Sequence, residues 1–269
     1  MKKYYFLAGL PRTGNTLLSA ILNQNPNIYC SNLSPLNSFY WDLTQSYSKT
    51  ESFVRNNNHE QVDFMLSNLM QNYYEKIDKP IIIDREKAWA TPANLAHIKK
   101  YITPNPKIIF TIRPVIEILA SWIKILPEQS FIDIEMENCG WFYKNYLSRN
   151  DNRCDYIMRP FGQLDKMLIS INEIMNAEND KTFCLIKYND ITNAPEQTIN
   201  KIYEFLELPN YKHTFNNIKK IEEDNDEGLG QPKNLHKIRP QLKKVSKNPK
   251  EVLSEYVINK YSNIGWEGL

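Results

Sequence analysis

Gly9-Leu10-Pro11-Arg12-Thr13-Gly14-Asn15-Thr16 has the spacing of a phosphate-cradling loop, G-x-x-x-x-G-K-[ST], with one informative change: Asn15 stands where that pattern places Lys. In such a loop consecutive backbone N–H groups face outward at a helix N-terminus, and the helix dipole adds about half a positive charge. The Lys of the pattern neutralises the outer phosphates of a nucleoside triphosphate, so its loss argues against triphosphate hydrolysis. The cation here is Arg12, on the loop itself, where a guanidinium can fork onto a single anionic group held by the backbone. A second cation, Arg113, ends the apolar run over 107–112. Only Asp84, after Ile81-Ile82-Ile83, stands where a metal-binding carboxylate would follow a buried strand. The pattern describes an anion site made of arginine and backbone dipoles.

A strand, a tight loop and a helix must position these groups. Residues 4–9 form an apolar run, and Leu17, Leu18, Ile21 and Leu22 share one helical face after the loop. Asn25-Pro26-Asn27 stops that helix, and residues 28–30 read as a short second strand. Residues 35–76 read as helical, with a soft loop near 55–59. Ile81-Ile82-Ile83 and residues 107–112 suit buried parallel strands. A helix from about Pro92 ends at Pro104 and Pro106, and Arg113-Pro114 opens an apolar helix reaching about Ile125. Further helices are expected over 139–147, 161–175 and 195–206, a strand over 182–188, and irregular charged chain beyond Pro209. Strands alternating with helices imply right-handed βαβ crossovers, hence an α/β fold with a parallel sheet flanked by helices. One domain over residues 1–269 is expected, since no repeat or low-complexity linker interrupts the chain.

Composition limits the partners. The 269 residues are 42% hydrophobic and 24% charged with a formal net charge of +2, too small for a general nucleic-acid binder. Four scattered cysteines, Cys30, Cys139, Cys154 and Cys184, form no CxxC pair and have no His at zinc spacing, so no metal site is expected. Met1-Lys2-Lys3 opens like a signal peptide, but Pro11-Arg12 ends the apolar run too early. No stretch approaches the ~20 apolar residues of a membrane span. These readings point to a reducing, cytoplasmic setting.

Leu10-Pro11-Arg12-Thr13-Gly14-Asn15-Thr16-Leu17-Leu18 resembles the 5′-phosphosulfate loop of the sulfotransferases that use 3′-phosphoadenosine 5′-phosphosulfate. Ile109-Phe110-Thr111-Ile112-Arg113-Pro114, continuing to Ser121-Trp122, resembles that family's 3′-phosphate segment, in which the Arg and the Ser hold the phosphate. Helix geometry alone does not pair Arg113 with Ser121, because eight residues span ~12 Å of axis. Leu185-Ile186-Lys187-Tyr188-Asn189-Asp190, then Pro195 and residues 202–208, resembles the strand and helix that bring a Tyr near the adenine. Asn189 replaces the usual Glu there. The tail, Lys237-Ile238-Arg239-Pro240 and Ser262-Asn263-Ile264-Gly265-Trp266, is similar to the tyrosylprotein branch, which implies Arg239 at the 3′-phosphate.

The resemblance implies a P-loop-like sulfotransferase fold. It also implies in-line attack by a hydroxyl or amine acceptor (small molecule, glycan or peptide), with adenosine 3′,5′-bisphosphate leaving. Cofactor contacts fall on Arg12, Thr13, Gly14, Asn15, Thr16, Leu17, Arg113, Ser121, Tyr188 and Arg239. A sulfuryl group carries less negative charge than a terminal phosphoryl, so arginines and backbone N–H groups suffice without Mg²⁺. Arg12 and Arg85 are the expected catalytic cations, with Lys87 competing for the second place. The family's bases have no counterpart at Ser31-Asn32-Leu33 or at Arg85-Glu86-Lys87, which leaves Glu86 as the candidate, with Asp84 and His236 behind it. Two alternatives stay open: a P-loop-type small-molecule kinase using Asp84, and a nucleotide-binding relative without turnover.

Overall fold

Consecutive apolar residues in the strands mean that both faces of the sheet are covered. The computed structural model describes residues 2–56, 59–128, 130–176, 181–221, 238–243 and 248–264. Within them β1 (Lys3–Gly9), β2 (Ile28–Cys30), β3 (Ile81–Arg85), β4 (Ile108–Ile112) and β5 (Phe183–Lys187) form one sheet in the order β2-β3-β1-β4-β5. Every pairing is parallel. The side-chain period of two then sorts each strand between two cores. Phe6, Ala8, Ile82, Ile108, Phe110 and Ile112 face one. Tyr5, Leu7, Ile83, Ile109, Cys184 and Ile186 face the other.

The helices are α1 (Asn15–Leu22), α2 (Leu36–Lys49), α3 (Glu51–Asn56), α4 (His59–Tyr73), α5 (Pro92–His97), α6 (Val115–Ile123), α7 (Phe131–Asn138), α8 (Arg149–Ile157), α9 (Gln163–Asn176), α10 (Tyr188–Asn193), α11 (Pro195–Leu206) and α12 (Glu255–Tyr261). α1, α10 and α11 close the second core, and α2, α4, α6, α7, α8, α9 and α12 contribute to the first. No helix among the described residues is long and apolar enough to cross a membrane.

Two expectations need correction. The helix expected over 139–147 is absent, and helices flank that stretch instead. Ser130 with Asp133 and Ser148 with Asp151 form capping boxes that start α7 and α8, while Gly140, at φ 65, follows the end of α7. The tail expected to be irregular carries α12, started by the Ser254 cap.

α12 is held by two buried carboxylates on α8: Asp151 accepts from the cap Ser254 Oγ at 2.6 Å, and Asp155 gathers the rest. Asp155 accepts hydrogen bonds from Lys144 Nζ (2.6 Å), Lys260 Nζ (2.9 Å), Tyr256 OH (2.9 Å) and Tyr261 OH (2.7 Å). Those four donors outweigh the desolvation of the carboxylate and hold its pKa down at about 2. Because the folded pKa lies below the unfolded one, this contribution to stability is complete above pH about 4 and is lost as pH falls toward about 2. Asp155→Asn should flatten this part of the acid-unfolding profile. Asp155→Ala should cost about 2–3 kcal/mol in urea melts at neutral pH, less than a fully buried pair because both lysines are partly exposed. Equal stability of Asp155→Ala and wild type would show that α12 is held by its apolar face and the Ser254–Asp151 bond without Asp155.

Candidate active site

The loop of residues 10–14 lies where β1 and β4 end side by side. Gly9 is registered with Thr111, and a Cβ on Gly9 would stand 2.3 Å from Thr111 Oγ1, so only glycine fits there. Thr111 donates to Asn15 Oδ1 (2.6 Å), and the buried Thr13 hydroxyl sits 2.6 Å from both Leu10 O and Thr111 Oγ1. Asn15 Nδ2 also reaches toward Leu10 O and Thr13 Oγ1, each at 3.4 Å. The side chains of Thr13 and Asn15 are therefore turned into the protein, and what they offer a ligand is backbone N–H. Leu18 N bonds Gly14 O at 2.9 Å, so the amides of Asn15, Thr16 and Leu17 precede the first intrahelical bond. α1 has no side-chain cap and no acidic residue in its first turn. That is the electrostatics of an anion site.

Arg113 ties this loop to β4 and β5. Its side chain is 5% exposed; Nη1 donates to Arg12 O (2.9 Å) and Nε to Glu117 Oε2 (3.0 Å). The guanidinium lies over the Tyr188 ring at 4.2 Å, and a Cβ on Gly14 would meet that ring at 3.1 Å. Arg12 sits at φ 63, unusual for a residue with a Cβ, and donates from Nε to Ser121 Oγ (3.2 Å). The distance along α6 that separates Arg113 from Ser121 is thus spanned through Arg12, whose carbonyl binds one and whose side chain binds the other. Tyr188 is buried as the first residue of α10, just past β5.

On β3 the period of two separates three neighbours. Leu7 is registered with Arg85 and Phe6 with Asp84. Arg85 turns toward α1 and donates from Nη1 to Thr16 Oγ1 (2.8 Å), while its backbone N–H donates to Ser31 Oγ (2.8 Å). Asp84 turns into the first core, where it accepts from Tyr74 OH and Trp89 Nε1, both at 2.6 Å, and burial pushes its pKa up to about 6. Asp84 is thus fully buried in the first core on the side of β3 away from the loop, which speaks against the metal-ligand place the kinase alternative gives it. Among the described residues no group of three His, Cys, Asp or Glu side chains is placed to hold a metal ion. Glu86 Oε2 caps the 3₁₀ turn Lys87–Ala90 by accepting from Ala88 N and accepts from Asn37 Nδ2 at 3.3 Å. Lys87 begins that turn, one residue further from the loop.

Arg12, Thr13, Gly14, Asn15, Thr16, Leu17, Arg85, Arg113, Ser121 and Tyr188 are brought to one end of the sheet, with Glu86 at its margin. Arg239 is exposed and makes no side-chain hydrogen bond among the described residues, while its neighbours Ile238 and Leu242 rest on the second core. His236, Lys237 and Gly265-Trp266 lie outside the described residues, as does the acidic cluster over 222–227. Thr111 and Glu117 went unrecognised in the sequence. Their signals were there: a hydroxyl in an otherwise apolar strand, and an acid four residues after Arg113 at helical spacing.

No curated protein sequence matches this chain. The sulfotransferase domain from the curacin biosynthetic pathway superposes with a TM-score of 0.53 at 13% identity, covering 98% of this chain and 92% of that one. The sulfotransferase domain from the Synechococcus PCC 7002 olefin synthase gives 0.53 at 15% identity, with 100% and 90% covered. A sulfotransferase from Alicyclobacillus acidocaldarius gives 0.52 at 12%, with 85% and 90% covered. These likenesses show the fold, a P-loop-like parallel sheet with helices on both faces. The model of the sulfotransferase family matches residues 5–213. Since that span runs from β1 through the loop, Arg85, Arg113 and Tyr188 to beyond α11, this chain belongs to the sulfotransferase family.

Proposed function

We propose that the chain transfers a sulfuryl group from 3′-phosphoadenosine 5′-phosphosulfate to a hydroxyl or amine acceptor. The observation that carries this reading is the arrangement of Arg12, Arg85 and Arg113 around the uncapped N-terminus of α1. The donor set fits the nucleotide, being all guanidinium, hydroxyl and backbone N–H, with no carboxylate in the first turn of α1. When bound, the phosphosulfate supplies an electrophilic sulfur and leaves as adenosine 3′,5′-bisphosphate.

In this reading the backbone amides of residues 13–17 hold the 5′-phosphate, and Arg113 with Ser121 holds the 3′-phosphate. Tyr188 stands beside the adenine, and Arg239 is the further 3′-phosphate contact. Arg12 and Arg85 stabilise charge on the leaving oxygen, and being permanently protonated they do so without acting as acids. Glu86 is the proposed base: Oε2 is used by the cap and by Asn37, which leaves Oε1 to take the acceptor's proton. Four cysteines without a disulfide among the described residues support a cytoplasmic setting.

Adenosine 3′,5′-bisphosphate should bind in the micromolar range by calorimetry, and Arg12→Ala or Arg113→Ala should each weaken it about tenfold or more, the loss of one charge-assisted contact. Two variants that bind like wild type would move the cofactor elsewhere.

Glu86→Gln keeps an oxygen for the Ala88 cap while removing basicity. Turnover should fall ~10²–10⁴-fold with bisphosphate affinity near that of wild type. Asp84→Asn, buried in the first core on the side of β3 away from Arg85 and the loop, should retain turnover. The reverse pattern in the same assay would assign the base to Asp84, loss with His236→Gln alone would assign it to His236, and three active variants would point to an acceptor that needs no protein base.

A further inference from the structure

Arg113 already has a counter-ion. Glu117 stands in the first turn of α6 and accepts from Arg113 Nε at 3.0 Å, the two side chains being 19% and 5% exposed. A second Arg113 donor is spent on Arg12 O, and the face of the guanidinium is spent on Tyr188. An anion arriving at Arg113 therefore meets a cation whose charge is largely neutralised, with the neutralising carboxylate held beside it. The positive end of the α6 dipole is shared in the same way, because Glu117 lies within its reach.

We propose that Glu117 is a positioning residue that limits the site's affinity for adenosine 3′,5′-bisphosphate. It keeps Arg113 oriented but shares its charge with the 3′-phosphate, and so shortens the residence of the bisphosphate. The proposal rests on Arg113 as the 3′-phosphate ligand. Orientation and charge are separable in Glu117→Gln, which retains an oxygen able to accept from Arg113 Nε and removes the negative charge. Two like charges a few ångströms apart at a partly exposed site repel by enough to change a dissociation constant about tenfold.

Calorimetry and stopped-flow dissociation of adenosine 3′,5′-bisphosphate, on the full chain, test this. Glu117→Gln should bind about tenfold more tightly, dissociate more slowly by a similar factor, and lower the KM for the phosphosulfate donor. A residue serving only to support α6 would give the opposite: weaker binding together with a lower melting temperature. Glu117→Ala is the second neutral variant and should also bind more tightly than wild type, by a smaller factor because Nε loses its acceptor. If neither folded variant binds more tightly, the proposal is overturned. Wild type that fails to bind the bisphosphate, or Arg113→Ala that binds it as wild type does, would instead overturn the cofactor reading and this proposal with it.

Discussion

Thr111 under Gly9 is the contact on which the site depends. A hydroxyl near the end of an apolar strand occupies the space that any larger residue at position 9 would need. Once there, it donates to Asn15 and meets Thr13, so two loop side chains are drawn inward. Each threonine has one proton. With Thr111 donating to Asn15, that of Thr13 serves either Leu10 O or Thr111, and no polar atom of the trio lacks a partner. The inward pull on the side chains is what leaves the amides at the start of α1 facing out. Asn15 is thus more than a missing Lys. It is the acceptor that completes a buried network, a role an ammonium group, which has donors only, cannot fill.

The second constraint is the alternation of the parallel strands. Residues 84, 85 and 86 are all ionisable and adjacent in sequence, yet they lie in three environments. The core holds Asp84, the loop holds Arg85, and a 3₁₀ turn holds Glu86. A slip of one residue between β1 and β3 would exchange the first two, placing a carboxylate beside the anion site and burying a guanidinium among Phe6, Trp89 and Tyr74. The indole N–H and the phenol of those aromatic residues are therefore part of the register. They give Asp84 the hydrogen bonds that an aliphatic core lacks.

The architecture was legible because its strands are apolar at every position and its loop departs from the phosphate-loop pattern at a single site. That Arg12, Arg85, Arg113 and Ser121 gather at one end of the sheet was legible for the same reason: each stands at a strand end, in the loop after a strand or on the helix that follows. The connections between α6 and α9 were misplaced, since aromatic residues over 141–146 resemble a helical face. The signals that decide the matter are short-range caps, Ser130 with Asp133 and Ser148 with Asp151. α12 was missed because it is short and is held by Asp151 and Asp155, each about a hundred residues away in sequence, which no local pattern announces. Glu117 bears the same sign as the ligand of an anion site, so no anion-binding pattern marks it, although it is paired with Arg113.

Arg113 shows why the chemistry at this position is specific to arginine. Arg12 sits at positive φ, a conformation that costs of order 1–3 kcal/mol, and persists only where its surroundings hold it. The Arg113 Nη1 bond to the Arg12 carbonyl is one such hold, and the Arg12 side chain on Ser121 is another. Lysine carries a point charge on a flexible stem and has no plane to lay on Tyr188, so it could not serve Glu117, the Arg12 carbonyl and the ring together. The guanidinium does all three and still presents a further N–H edge. Under the proposed function, the positive φ of Arg12 and the hold on a 3′-phosphate would meet in one side chain, because the Arg113 guanidinium that would take the phosphate also binds the Arg12 carbonyl.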